Sequence, residues 1–435
     1  MIFGGTVGVG ILRLPGAVAA QLGSYWLILL AWTIGGIYAL LGSISVTELG
    51  AMLPQAGGFY VYARRAFGSF AGFAAGWSDW LNNCAVLAYA SITAAEYLAQ
   101  LWPRALLQRH QTAGALGILA IFTLLQWMGV RSGSGAQKLT SSLTAAALLT
   151  LVVASFLHPG NTINAVKAGT PIHLPAGFVA GLGALVAALR SIIVTYDGWY
   201  EAIYFTEEDV DPARNLPRTM IGGVTLVIAM YLLINVALLH VLTIPQLAAS
   251  RLPAADAAQI IFGNTSGRFI VGLSLLTLLS LINSVLLGAT RIVFAISRDG
   301  LFAAGAASVS AGGTPRFALL MTSLAAMLLV ATSTFERIIA VAAIFFVANY
   351  AASYAALLVL RRTAPELPRP FRAWGYPWST LLVLAGSLLF LAWAVKSDIR
   401  NSLIALCILA ASVPVYIFIV RGNAARISSG KNGEK

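Results

Sequence analysis

An all-α polytopic membrane protein of about 12 transmembrane helices is the fold class this sequence predicts. Three observations predict it. The chain is 59% hydrophobic and only 10% charged, against about a quarter charged in a soluble domain. Its mean hydropathy is +0.84, and the apolar runs reach the roughly 20 residues that a bilayer crossing needs. Finally, the basic residues sort onto alternate loops.

Taken in order, the predicted spans are 1–23, 25–53, 70–101, 113–130, 137–157, 181–205, 219–241, 269–296, 317–332, 337–360, 376–395 and 402–420. Their ends carry the few-residue latitude of any such reading. The ninth is short and the twelfth is interrupted by Pro414, so both are expected to tilt or bend. With the N-terminus inside, the inner loops and tail carry Arg64, Arg65, Arg131, Lys138, Arg214, Arg218, Arg291, Arg298, Arg316, Arg361 and Arg362, with further arginines and lysines towards the C-terminus. The outer loops carry Arg104, Arg109, Lys167, Arg251, Arg268, Arg337, Lys396 and Arg400. Inner basic residues prevail by about two to one, as the positive-inside rule requires. Residues 1–421 then form one transmembrane domain, with 159–175 as an outer loop, the proline-rich 361–377 as an irregular inner loop, and 422–435 as a cytoplasmic tail.

The formal charge of +12 lies in loops. With no compact basic domain and no aromatic platform, it excludes nucleic acid as a partner. No cleavable signal peptide with a charged leading region is read at the start. Cys84 and Cys407 both fall within apolar runs and read as small core residues, not a disulfide.

Two stretches break the helical pattern. In 187–218 an apolar run meets Asp197, Gly198 and Trp199, then closes in an acidic, proline-broken loop. Backbone freed by a break at membrane depth is tolerated only against protein or a water-filled cavity, and an acid there points to function. The first span carries Gly4, Gly5, Gly8 and Gly10, followed by Pro15-Gly16. Each glycine weakens an exposed helix by roughly 1 kcal/mol. Close glycine packing between helices is the bland alternative to an unwound segment. A dinucleotide-binding loop is excluded, because that fingerprint needs a preceding strand. Breaks at corresponding places of the first and sixth spans mark a central site in transporters built from inverted repeats. Spans one to five (1–158) and six to ten (181–360) are the expected repeats, with 376–420 added.

The motifs then carry a resemblance. Gly8-Val9-Gly10-Ile11 with Leu14-Pro15-Gly16 resembles the first-helix signature of the amino acid–polyamine–organocation (APC) superfamily. Tyr196-Asp197-Gly198-Trp199, Phe205-Thr206-Glu207-Glu208 and Asn215-Leu216-Pro217-Arg218 are similar to the sixth helix and following loop of its L-type amino acid transporter branch. Gly57-Gly58-Phe59-Tyr60-Val61-Tyr62, and Arg291 with Ser297-Arg298-Asp299-Gly300, extend the likeness over nearly the whole chain.

The resemblance implies a LeuT-like five-plus-five inverted repeat with helices 1 and 6 unwound. It implies secondary active transport of amino acids by alternating access, by exchange or proton-coupled symport, with neutral L-amino acids preferred. A cationic amino acid or polyamine permease is the alternative within the class, and a non-transporting receptor the alternative outside it. The substrate carboxylate would lie at the amides of Val9 and Gly10, with Gly8 permitting the bend. The α-ammonium would lie at carbonyls of Thr6, Val7, Val194, Thr195 and Asp197. The implied binding set is thus Thr6, Val7, Gly8, Val9, Gly10, Val194, Thr195, Tyr196, Asp197, Gly198 and Trp199. Helix physics agrees, since amides at a helix N-terminus attract an anion and carbonyls at a C-terminus a cation. Asn82, Asn83, Tyr89, Asn283, Ser284, Asn349 and Tyr350 are polar candidates for selectivity or for ordinary interhelical bonding. Asp197 could tie backbone at the break, meet an amine or carry a proton, and Glu201 shares the ambiguity.

Two departures stand out. Sodium-independent relatives carry a lysine in the fifth helix, where this chain aligns Ala147, which opens the question of the coupling ion; Thr290 could hold a cation there. Only seven residues precede Gly8, fewer than the ten or so an inner half-helix needs at 1.5 Å rise each, so a truncated chain, a start placed too late or an unusual, shortened inner gate is expected. No selectivity ring of a channel appears. His110, His158, His173 and His240 have no metal-ligand spacing, so no catalytic residue, metal or cofactor is expected and the chain is not read as an enzyme. The expected partners are the amino acid substrate and membrane lipid. The chain reads as a monomer in a bacterial inner membrane, with no disulfide-linked partner chain and both termini cytoplasmic.

Overall fold

The computed structural model of the chain describes residues 6–102, 110–128, 133–159, 177–310 and 313–419. Among them every regular element is helical. The chain runs α1 (Val9–Leu22), α2 (Tyr25–Met52), α3 (Phe59–Phe67), α4 (Ser69–Leu101), α5 (Gln111–Trp127), α6 (Gly133–Leu157) and α7 (Phe178–Tyr196). After a 3₁₀ helix, Glu201–Glu208, come α8 (Pro212–Val241), α9 (Ile244–Ala249), α10 (Pro253–Arg298), α11 (Arg316–Thr332), α12 (Phe335–Thr363), α13 (Trp378–Ser397) and α14 (Ile399–Ala410). Eight helical stretches among the described residues are long and apolar enough to cross a membrane. Gln111–Trp127, Ser142–Leu157 and Arg316–Thr332 are shorter apolar helices. This is a polytopic helical membrane protein. The expected loop 159–175 and the tail 422–435 lie outside the described residues, 159 apart.

The helix starts follow local chemistry. Asp211 accepts the Arg214 amide at 3.3 Å ahead of Pro212. Thr243 and Gln246 form a reciprocal capping box, which satisfies two otherwise orphaned backbone groups. Proline at the first turn costs no hydrogen bond, and α10 opens this way at Pro253, earlier than the predicted 269. The predicted loop there is helix instead, bent at Gly263, whose φ of 78° breaks the helical path. The Gly57-Gly58 motif is a left-handed turn (φ 116° and 52°) leading into the short helix α3. That helix buries Phe59, Tyr60 and Tyr62, and it ends on Arg64 and Arg65, where cations complement the helix dipole. The predicted interruption of the last span appears as the end of α14 at Ala410, with helix resuming from 412 to 419.

The helix α4 lies at the centre, packed by α3, α5, α10, α11 and α12, while α8 runs along α2 and α7 along α1. Lipid offers no hydrophobic drive between helices, so close packing of small residues must hold them. The α2 glycines do this. A Cβ on Gly42 would fall 2.1 Å from the Tyr354 Oη, one on Gly35 2.3 Å from Ile192 Cγ2, and one on Gly50 2.6 Å from Leu216 Cδ2. Side chains of α12, α7 and α8 thereby seat directly on the backbone of α2.

Ion pairs close both ends of the bundle. At the end nearest α3, Arg64 bonds Asp299, Glu208 holds Arg291 at 2.8 Å and Glu207 holds Arg298 at 3.0 Å. The acidic loop thus clamps the end of α10. At the other end of α4, Arg13 bonds Glu96 and lies over the Phe335 ring, 3.7 Å from its centroid. Glu48 on α2 is fully buried. It receives Arg361 through Nε at 2.8 Å and Nη2 at 2.6 Å, and the Ala373 amide at 2.7 Å. Arg369 stands 3.5 Å away. This knot fastens the irregular stretch after α12 onto α2.

Removing one member of a buried ion pair leaves uncompensated charge, at a cost of about 3–5 kcal/mol. Glu48→Ala is therefore expected to lower the thermal unfolding midpoint of the detergent-solubilised protein strongly, and Glu48→Gln less so. Glu208→Ala, at an exposed pair, should shift it little, because such pairs contribute about 0–1 kcal/mol. Equal shifts for Glu48→Ala and Glu208→Ala would refute this account of the knot.

Candidate functional site

Non-helical backbone occurs at Val7 and Gly8 and again at Asp197 and Gly198, while Gly4 and Gly5 of the first predicted break lie outside the described residues. Thr6 is helical, Val7 and Gly8 are bends, and α1 starts at Val9 with Gly8 at φ −151°, ψ −137°. The α7 helix stops at Tyr196. Asp197 takes ψ 155° and Gly198 the left-handed φ of 95°, a conformation that glycine adopts without steric cost. A helix start leaves its first amides unpaired and a helix end its last carbonyls. The first residues of α1 and the last of α7 therefore present opposite partial charges.

These two ends touch. A Cβ on Gly10 would fall 2.6 Å from the Thr195 Cα, and one on Gly8 2.7 Å from Leu281 Cδ2. Gly10 has no room for a side chain against the Thr195 backbone, whereas at Gly8 the flexible end of Leu281 would have to move. From α8, the buried Tyr231 hydroxyl donates to the Thr6 carbonyl at 2.8 Å, with the Thr195 carbonyl at 3.1 Å from the same oxygen. One phenol ties the two breaks together. Tyr231 was not among the residues singled out in the sequence. Its only sequence signal is a tyrosine in the middle of an apolar span, which is also how a packing residue looks.

Between the breaks lies a cavity of about 30 Å³, room for a water or two. Of the predicted site residues it brings together Thr6, Gly8, Gly10, Val194, Thr195, Asp197 and Gly198. Asn83, Val86 and Tyr89 of α4, Tyr200, Glu201, and Leu281 and Val285 of α10 complete the lining. The remaining predicted residues stand elsewhere. Tyr196 packs on Tyr231, ring centroids 5.0 Å apart, and donates to the Trp32 carbonyl at 3.2 Å. Trp199 is buried against Tyr350 at 5.1 Å. Val7 faces a separate void of about 10 Å³ beside Ala147, Leu148 and Leu151. The backbone of Val9 opens α1, and its side chain lies outside the described residues. Asn349 accepts from Ser78 at 2.9 Å and Asn283 from Gln126 at 3.1 Å, as in ordinary interhelical bonding.

Acids and phenols surround the cavity. Tyr350 and, at 3.3 Å, Tyr200 donate to the Asp197 carboxyl. Tyr204 lies 2.8 Å from both oxygens of the buried Asp79. Neutral donors thus engage these carboxyls, and no group of three or more His, Cys, Asp or Glu side chains suited to a metal ion occurs among the described residues. The void near Val7 lies where the resemblance places a lysine ammonium. Its walls are apolar apart from Ser274 and the Thr144 and Thr277 hydroxyls, which bond each other at 2.6 Å.

Comparison with known proteins matches this architecture. A family model described as amino acid permease covers residues 1–413. The serine/threonine exchanger SteT of Bacillus subtilis is 26% identical over 96% of this chain and 94% of its own length. The large neutral amino acids transporter small subunit 2 of Mus musculus is 29% identical over 96% and 78% respectively. The Asc-type amino acid transporter 1 of Mus musculus is 30% identical over 86% and 71%. The sequence motifs, the helical membrane architecture and a family match over nearly the whole chain lead to one conclusion: this chain belongs to the amino acid permease family, within the APC superfamily.

Proposed function

We propose that the chain carries neutral amino acids across the membrane by exchange and alternating access. The observation that carries this reading is the meeting of two helix ends of opposite polarity across one cavity. Amides of Val9 and Gly10 would receive the substrate carboxylate. Carbonyls of Thr6, Val7, Val194, Thr195 and Asp197 would receive the ammonium. The Thr6 and Thr195 carbonyls already accept Tyr231, and each keeps a second lone pair. The names of the relatives support an amino acid substrate and, for SteT, exchange. The phenols on Asp197 speak against that acid being held free for a cationic substrate.

The proposed frame has twelve spans, with repeats at 1–158 and 181–360, helices 376–420 outside the repeats, and the breaks in helices 1 and 6. Both termini would lie in the cytoplasm of a bacterium, with the chain in its inner membrane. We infer that it works without a disulfide-linked partner: Cys84 is buried in α4 and Cys407 sits within α14, so neither lies in a loop. The void beside Ala147 has no acidic side chain in its lining, which favours exchange without a bound coupling cation.

A cavity with room for a water or two cannot hold an amino acid, so the loaded state must be wider. The outer lid would be Arg13, Glu96 and Phe335. Phe335 contacts the cavity residue Tyr89 edge-on, ring centroids 6.2 Å apart, and carries Arg13 on its face. The Arg64–Asp299, Glu207–Arg298 and Glu208–Arg291 pairs would close the inner side.

In proteoliposomes, labelled neutral amino acid is expected to enter when unlabelled amino acid is inside, with no requirement for sodium or a pH gradient. Uptake that needs no internal amino acid would refute exchange. Gly10→Ala must part the two breaks and should abolish uptake at unchanged expression. Gly117→Ala, which meets nothing within 4 Å, should leave uptake unaltered. For the lid, a thiol at position 89 (Tyr89→Cys, with both native cysteines changed to serine) should react several-fold faster with an external impermeant reagent once Arg13→Ala is added. An unchanged rate would remove Arg13 from the lid.

A further inference from the structure

The stretch between α12 and α13 has two faces. Its inner face is taken up by the Glu48 knot, where Arg361 and the Ala373 amide bond the carboxyl. The Arg369 guanidinium turns back on the carbonyls of Leu360, Ala364, Pro365 and Leu367, at 2.8–3.1 Å. Towards α13, the Ser379 hydroxyl donates to the Trp374 carbonyl at 2.7 Å. The backbone is thus held at both ends. With Ala373 drawn inward and only 6% exposed, its neighbours face out: Arg372 is exposed and Trp374 is 60% exposed.

The outer face continues into α13. Trp378 is the first residue of that helix and is 77% exposed, followed by Leu382 and Leu389 at 64% and 72%. At 3.6 residues per turn these three lie within about 40° of one another. They form one apolar stripe turned to the bilayer. Trp378 opens the stripe, so Trp374 and Trp378 stand where acyl chains give way to headgroups, the depth that tryptophan favours. Residues 361–378 hold four arginines and one acid, Glu366. Arg361 and Arg369 are turned inward, whereas Arg362 and Arg372 are exposed.

We propose that Arg362, Arg372, Trp374 and Trp378 form a docking site for an anionic phospholipid, the arginines taking the headgroup phosphate and the indoles the glycerol and upper acyl region. The inference is independent of which amino acid is carried. Three points carry it. A guanidinium matches a phosphate with forked, charge-assisted donors, and a zwitterionic headgroup brings its own cation against the arginines. An indole has an apolar body and one N–H donor, which suits the boundary between chain and headgroup. The loop is already fixed to α2 through Glu48, so binding orders little further backbone. The indoles also set a lipid apart from free phosphate, because a soluble anion has no acyl chain for them to hold.

The test uses the full chain in phosphatidylcholine bilayers, with its own tryptophan fluorescence as the signal. Acyl-brominated phosphatidylglycerol, or acyl-brominated phosphatidylcholine, replaces a rising share of the lipid and quenches tryptophans that it touches. An arginine near a charged surface is worth about five-fold in occupancy. Wild type should therefore reach half of its quenching at a roughly 20-fold lower share of the brominated anionic lipid than of the zwitterionic one. Arg372→Ala should narrow the difference to about five-fold, and Arg362→Ala with Arg372→Ala should remove it. Arg400→Ala, at an exposed arginine of α14, should leave it intact. Trp374→Phe with Trp378→Phe should remove it as well, since these two indoles report the site. On wild type alone, salt at about 1 M should narrow the difference by screening, and excess glycerol 3-phosphate should not reverse the quenching. Equal quenching of wild type by the two lipids overturns the proposal. So does a difference that survives the double arginine variant, the double tryptophan variant or high salt. Reversal by glycerol 3-phosphate would mean a site for free phosphate and would overturn the lipid assignment.

Discussion

The site depends on one contact. The first residues of α1 and the last residues of α7 meet at Gly10 and Thr195 with no space for a side chain between them. In a medium without water, freed amides and carbonyls are tolerated only where protein or a polar cavity receives them. Bringing an N-terminal end and a C-terminal end together meets that condition without a charged side chain. The Tyr231 hydroxyl then fixes the spacing by serving carbonyls from both breaks. The surrounding architecture keeps this junction in register. The glycines of α2 let α7, α8 and α12 come close, and the Glu48 knot anchors the stretch beyond α12 to α2.

The same junction makes sense of the acids and phenols around it. An uncompensated carboxylate in a helical membrane core would be costly. Asp197 and Asp79 answer that cost with tyrosine hydroxyls, not with cations. The centre of the bundle stays poor in charge, and the ion pairs are moved to its two ends. An alternating carrier must break and remake closures at those ends, where pairs are partly exposed and individually weak.

Some elements were legible because each needs only local chemistry. The glycine cluster at 4–10 and the Asp197-Gly198 pair read as breaks, since glycine and a buried acid both disfavour regular helix in lipid. Other features were not legible. The α10 helix starts near 253 and not at 269, because Gly263 only bends it. Nor were the partners of the acidic loop legible: Glu208 meets Arg291 and Glu207 takes Arg298, while Arg64 turns to Asp299. Such choices are set by which side chains share an end of the bundle.

What the sequence by itself determined is the class of the protein and the places where its helices must fail: apolar length, loop charge and glycine position are properties of single segments. Which breaks face each other, that Tyr231 joins them, and that Trp199 and Tyr196 pack away from the cavity were decided only by the tertiary structure. The physical reason is range. Helix and break are set within a few residues along the chain, whereas a shared cavity is set by packing between segments nearly two hundred positions apart, as Gly10 and Thr195 are.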